Sequence, residues 1–290
     1  MADCIRLSIP MNEQITLKNM YYQEEKPETW RNLIKDRQRR IEFASEQKII
    51  HLQELMPHNG RCAVVGAAPS VKDHLDEISK YTGNDMIISL NGSHDFLVKN
   101  GIAPRIHILF EIDLENVETS TGGPPHKDVY YYICSHCNQS VFKQLEGYRR
   151  VLWHCFDEPP EYQSFVLRLF PGEFMVGGGF VTFFRAVNIG SILGFRHFDL
   201  FGCDCSFEGE ESHYKGYHTK NSETKMVVAA GTKDNYRMFG TTPSLSFLAS
   251  EIMRFCDTNQ RGITLKVHGA GMLRHMHQME YPELYKQKEV

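Results

Sequence analysis

Short, largely apolar runs recur along this chain, most of them closed by a small, polar or acidic residue and then by a segment of helical spacing. The runs fall at 61–66, 86–90, 105–110, 129–133, 150–154, 196–201 and 263–267. Runs that do not alternate with polar residues suit strands buried on both faces of a parallel sheet. Between them, helical patterns are expected over 70–81, around Phe96, Leu97 and Val98, and over 140–145, 180–193 and 243–256. Gly194 is placed to end the fourth of these helices. The alternation predicts an α/β fold, a Rossmann-like and mostly parallel sheet with helices on both faces.

Ahead of this rhythm the spacing changes. Pro27-Glu28-Thr29 opens a helical pattern over 30–55, with Trp30, Leu33, Ile34, Ile41, Phe43, Ile49, Ile50, Leu52 and Leu55 as its apolar set. The charged run 35–40 reads as its solvated face. Pro57-His58-Asn59-Gly60 breaks the pattern. The expected organisation is therefore an N-terminal helical extension (1–59), a nucleotide-binding catalytic domain (60–270) and a charged peripheral tail (271–290). Within the domain, 157–174 reads as irregular or partly helical, and 206–235 as a long polar insertion rich in His and Tyr.

In parallel sheets of this kind ligands bind beyond the carboxyl ends of the strands, so the strand ends carry the candidate chemistry. Gly66, Ala67, Ala68, Pro69 and Ser70 form a glycine break before a helix. Backbone N–H groups and the helix dipole could hold a phosphate there; an ordinary β-to-α turn reads as well. Asn91 and Gly92 end the next strand, where an asparagine amide can read a base or a sugar hydroxyl, or simply form a turn. Glu111 and Asp113 lie on one side of an extended segment. They could hold Mg2+ beside a diphosphate, or serve as a cap or base. Gly177, Gly178 and Gly179 precede an apolar helix. Three glycines in a row cost conformational entropy, which favours a close backbone approach over chance looseness. Asp204 follows a late strand, and His213, Tyr214 and Tyr217 follow in the insertion, residue types suited to proton transfer and phosphate contact.

Composition narrows the class. The chain has 290 residues, 41% hydrophobic and 23% charged, with a net charge of −4. That is globular, and it argues against duplex nucleic acid as a partner. No stretch approaches the roughly 20 apolar residues of a membrane span, and the first residues lack a signal-like pattern, so the sequence reads as cytoplasmic. The eight cysteines include Cys134-x-x-Cys137 and Cys203-x-Cys205. They lack the paired, well-spaced arrangement of a structural zinc site and read as core thiols.

Taken in order, G-A-A-P-S at 66–70, N-G-S at 91–93, G-I-A-P-R through E-I-D at 101–113, G-G-G-F-V-T at 177–182 and L-G-F-R-H-F-D-L-F-G-C-D at 193–204, with His213-Tyr214 beyond, resemble the 6-hydroxymethylpterin diphosphokinase-like family. That family is similar to motility accessory factor glycosyltransferases and, more distantly, to sialyltransferases that use CMP-sugars. The resemblance spans about residues 60–270, and motif order carries it. It implies a nucleotide-phosphate turn at Gly66, Ala68, Pro69 and Ser70, and second and third strand ends at Asn91 and Asp113. It also implies a second glycine turn at 177–179, a late acid at Asp204, and phosphate or acid/base groups at His213 and Tyr214. Ala67 and Ala68 depart from the Gly-Pro or second glycine of relatives, and Arg105 from their Asp. The first expectation is a glycosyltransferase with a nucleotide-sugar donor, such as a CMP-nonulosonic acid. The alternatives are an Mg2+-dependent diphosphokinase moving diphosphate from ATP to a pterin-like alcohol, and a non-catalytic nucleotide-binding module. An unidentified acceptor is implied, and homo-oligomerisation is compatible with all three.

Overall fold

The computed structural model describes residues 4–5, 27–111, 113–156, 160–178, 182–210, 225–232, 235–258 and 262–286. Eleven strands are found among them: β1 (Cys4–Ile5), β2 (Ile50–His51), β3 (Arg61–Val65), β4 (Met86–Leu90), β5 (Ile106–Leu109), β6 (Tyr130–Cys134), β7 (Arg149–Trp153), β8 (His197–Phe201), β9 (Met226–Thr232), β10 (Tyr236–Thr241) and β11 (Thr264–Val267). The helices are α1 (Pro27–Ser45), α2 (Leu75–Ile78), α3 (Ser93–Lys99), α4 (Val117–Thr121), α5 (Gln139–Gln144), α6 (Pro160–Leu169), α7 (Thr182–Ile192), α8 (Pro243–Asp257) and α9 (Met272–Glu280). A 310 helix, Pro69–His74, precedes α2.

The large sheet has eight strands in the order β11-β8-β3-β4-β5-β6-β7-β2. Within it β4 pairs with β5, β5 with β6, β6 with β7, β7 with β2 and β8 with β11, each in parallel. The apolar runs explain this. Ala63, Val64, Ile88, Ile108, Ile133 and Leu152 are fully buried, as central parallel strands require. A separate sheet, β1-β9-β10, is antiparallel.

Two compact units are present, Gln23–Val64 with Tyr81–Arg196, and Met1–Tyr22 with Val65–Lys80 and His197–Val290. In the first, local caps start the helices where the sequence supplies them. Asn116 accepts from the N–H of Glu118 at 3.1 Å and Asn138 from that of Ser140 at 3.0 Å. In the second, Thr242 accepts from the N–H of Leu245 at 3.3 Å, with Pro243 in the first helical turn of α8.

Three segments differ from the sequence expectation. The apolar positions at 49–55 are extended rather than helical. α1 stops at Ser45, β2 follows, and the Leu52 N–H donates to the Leu152 carbonyl at 2.8 Å. The second half of the polar insertion is not loop but β9, which pairs along its length with β10. The 271–290 tail, expected at the periphery, forms α9, which buries Met272, Leu273 and His277.

Candidate functional site

Gly66 and Gly202, both in the second unit, lie directly beyond β3 and β8, between which the strand order reverses. Their backbones touch. The Gly66 N–H donates to the Phe201 carbonyl at 2.8 Å, and the Ala68 N–H to that of Gly202 at 3.0 Å. A Cβ at Gly66 would strike the Gly202 carbonyl oxygen, and one at Gly202, at φ +62°, would sit 2.5 Å from the Gly66 oxygen. Glycine is required here by backbone against backbone, and these two amides are spent on carbonyls.

The same turn orders Asp204. Its carboxylate accepts the Ser70 N–H at 3.1 Å and the Ser70 hydroxyl at 2.5 Å. The cap of the 310 helix thus comes from Asp204, 134 residues along the chain from Ser70. The loop before α9 closes over it. Gly271 packs on the Asp204 backbone, and the Leu273 N–H donates to the Asp204 carbonyl at 3.1 Å. Burial raises the Asp204 carboxyl above its ordinary value, and the two Ser70 hydrogen bonds act against that rise. The arrangement suits a buried helix cap.

In the other unit, Asn91 stands beyond β4 in a left-handed conformation, at φ +50°. Its carbonyl starts α3 by accepting from the His94 N–H at 3.2 Å. Its side-chain Oδ1 is buried and has no hydrogen-bond partner. Gly92 lies against the loop at Gly122, whose Cβ would come within 3.1 Å of the Gly92 Cα. Beyond β5, the Phe110 N–H donates to Glu111 at 3.3 Å, and burial raises the Glu111 carboxyl. Asp113 is exposed. The two carboxylates thus meet different environments.

Gly177 and Gly178 also part company. Nothing lies within 4 Å of a Cβ at Gly177, whereas one at Gly178, at φ +151°, would be 2.8 Å from Arg185 Cγ. Arg185 is buried in α7. It donates to the Val176 carbonyl at 2.9 Å and lies 4.1 Å over the Phe110 ring. Asn188 donates to the Gly177 carbonyl at 3.0 Å. Helix α7 therefore holds the described part of this turn through Arg185 and Asn188. Gly179, His213, Tyr214 and Tyr217 lie outside the described residues.

Further polar groups gather in this unit. Beyond β6 and β7, Ser135 Oγ lies 3.0 Å from His154 Nδ1, His154 Nε2 lies 3.0 Å from Glu173, and Glu173 reaches His51 at 2.7 Å. The order suggests a nucleophile triad, but Ser135 is fully buried and also lies 3.3 Å from the Tyr162 hydroxyl. It ties strand ends together and meets no substrate. Cys134 and Cys137 are buried, and burial drives both thiols upward, so they are neutral core groups. Arg185 is a lone arginine in an otherwise apolar helical run, a signal visible in the sequence.

Residues 39–210 match the family model described as 6-hydroxymethylpterin diphosphokinase MptE-like. No curated protein matches the chain. Among solved structures, the MAf glycosyltransferase from Magnetospirillum magneticum AMB-1 is similar in fold, with a TM-score of 0.60 and 15% identity over 83% of this chain. The chain spans 37% of that protein's length.

Proposed function

We propose that this chain, which belongs to the 6-hydroxymethylpterin diphosphokinase MptE-like family, is a transferase that binds a nucleotide-activated sugar, such as a CMP-nonulosonic acid, at the strand ends beyond β4 and β5 and at the glycine turn before α7. The observation that carries this reading is Asn91. A non-glycine residue in the left-handed region, with a buried acceptor left without a partner, is costly on both counts. A ribose hydroxyl or a base amino group donating to Oδ1 would satisfy it. The open space at Gly177 admits a close approach of phosphate to the backbone. In the transfer step the acceptor hydroxyl oxygen bonds to the anomeric carbon, the bond from that carbon to phosphate oxygen breaks, and the nucleotide leaves with the electron pair. Asp113, exposed beyond β5, takes the hydroxyl proton.

The family description favours a second reading, diphosphate transfer from ATP to a pterin-like alcohol. Mg2+ would then be held by Glu111 and Asp113, whose oxygens suit a hard cation, and the cation would oppose the upward push that desolvation gives the Glu111 carboxyl. A third reading, nucleotide binding without turnover, keeps Asn91 and loses the base.

A thermal-shift panel of CMP, CTP and ATP with and without Mg2+ separates them, because a ligand of the folded state raises apparent stability. A metal-independent shift with cytidine nucleotides, lost in Asn91→Ala, is the expected result. A shift with ATP only in the presence of Mg2+ transfers the assignment to the second reading. A shift without turnover that survives loss of Asp113 and His213 selects the third, and no shift with any nucleotide overturns all three.

A further inference from the structure

Away from the strand ends assigned to the nucleotide, the second unit brings together His74 at the end of the 310 helix, Glu77 in α2 and His268 directly beyond β11. One ligand atom from each lies within 4.8 Å of the others. His74 and Glu77 are three residues apart and share a helical face. His268 is set by tertiary structure. Its N–H donates to the Leu200 carbonyl at 2.8 Å, and its ring stacks on Phe201 with centroids 4.2 Å apart.

The hydrogen bonds decide what the ring nitrogens can do. His268 Nε2 is 2.7 Å from Asp199. An ionised carboxylate only accepts, so the proton of a neutral His268 sits on Nε2. Nδ1 then presents a lone pair to Glu77 Oε2 at 3.4 Å, acceptor against acceptor. His74 Nδ1 also faces Glu77 Oε2 at 3.4 Å. That spacing is long for a charge-assisted hydrogen bond, which runs at about 2.7–2.9 Å. It fits the edge of a metal site, since a tetrahedral ion with bonds of about 2.0–2.1 Å sets its ligand atoms roughly 3.4 Å apart.

We propose that His74, Glu77 and His268 form a binding site for a divalent transition metal of the zinc type, with Asp199 orienting His268 from behind. Two imidazoles and one carboxylate leave a fourth position for water. Glu77 keeps 44% of its side chain exposed, so an ion and its water can arrive from solvent, while Phe201 walls the inner side. The Asp199–His268 pair is the second-sphere contact that fixes the tautomer of a ligating histidine. Two nitrogen donors exclude Mg2+ as the preferred ion. Bound metal would clamp the 310 helix and α2 to the end of β11, within one unit of the protein.

The test uses the full chain, stripped with chelator and titrated calorimetrically with ZnCl2, and separately with CoCl2 followed by visible absorption. One tight equivalent of Zn2+ is expected, with tetrahedral Co2+ bands and no response to Mg2+. Glu77→Gln, at a half-exposed position that leaves packing intact, should weaken Zn2+ binding at least tenfold, as should His268→Ala. Asp199→Asn should weaken it by about 10–100-fold while one equivalent is still bound. His197→Ala, at an exposed histidine outside the cluster, should change nothing. Absence of a tight equivalent in the parent protein overturns the site, and so does Zn2+ binding undiminished by Glu77→Gln and His268→Ala. None of these readouts depends on nucleotide binding, so they stand or fall apart from the transferase reading.

Discussion

Asn91 pays for its place in the fold twice, through its left-handed backbone and its unsatisfied buried oxygen. Asn91→Gly removes both costs. It should raise the urea unfolding free energy by about 1 kcal/mol while abolishing the nucleotide-induced thermal shift. Equal loss of stability and binding would instead make Asn91 a structural turn. Buried histidines set the acid limb of stability. Burial lowers His94 to about 4 and His136 to about 3. The unfolded chain therefore takes up more protons between those values and the ordinary 6.5, so stability rises with pH over that window and is lost as pH falls through it. Asp204 works with the opposite sign. Burial raises its carboxyl, so its contribution falls as pH climbs past the ordinary carboxylate value. Urea midpoints measured from pH 4 to 7 should show a shallower acid limb in His94→Asn, a change of up to about 3 kcal/mol across the window. Asp204→Asn should flatten the contrary slope. An unchanged profile in both variants would remove these groups from the account.

At the scale of elements, the turn before α7 offers a clean contrast. Gly177→Ala enters open space and should leave stability within about 0.5 kcal/mol. Gly178→Ala meets Arg185 and should cost about 1–3 kcal/mol by denaturant unfolding. If this turn holds phosphate, Gly177→Ala should weaken nucleotide binding in spite of its neutral stability. The strands of the large sheet were legible because doubly buried strands are uninterrupted apolar runs. The 49–55 segment was not, since Ile49, Ile50, Leu52 and Leu55 satisfy helical spacing, while distant partners hold it: Ile50 and His51 pair with β7, and the Leu55 N–H donates to the Ile192 carbonyl at 2.8 Å. β9 hid inside a polar insertion, although Val227, exposed, and Val228, buried, show the alternation of a one-sided strand. The Gly66 turn was found by its glycine, but the reason for that glycine, the carbonyl of Gly202, lies 136 residues away and has no local trace. The His74-x-x-Glu77 spacing was readable; its third member, His268, was not.

For the whole molecule, family membership rests on residues 39–210, and the described residues beyond them contain β9, β10, α8, β11 and α9. Helix α9 makes this end part of the folded body. It buries Met272 and Leu273, and its loop seals Asp204. Truncation after 270 should therefore lower the melting temperature by more than about 5 °C. No helix among the described residues is long and apolar enough to cross a membrane.

The antiparallel sheet has a handling consequence. β10 closes that sheet on one side, and Tyr236 and Met238 stand 56% and 58% exposed along it, with Val227 of β9 at 66%. A strand that is outermost among the described residues and carries greasy side chains is a template on which a second molecule can grow. Concentrated stocks should turn turbid from this ribbon outward, and a single lysine at Met238, acting as a gatekeeper, should keep them clear.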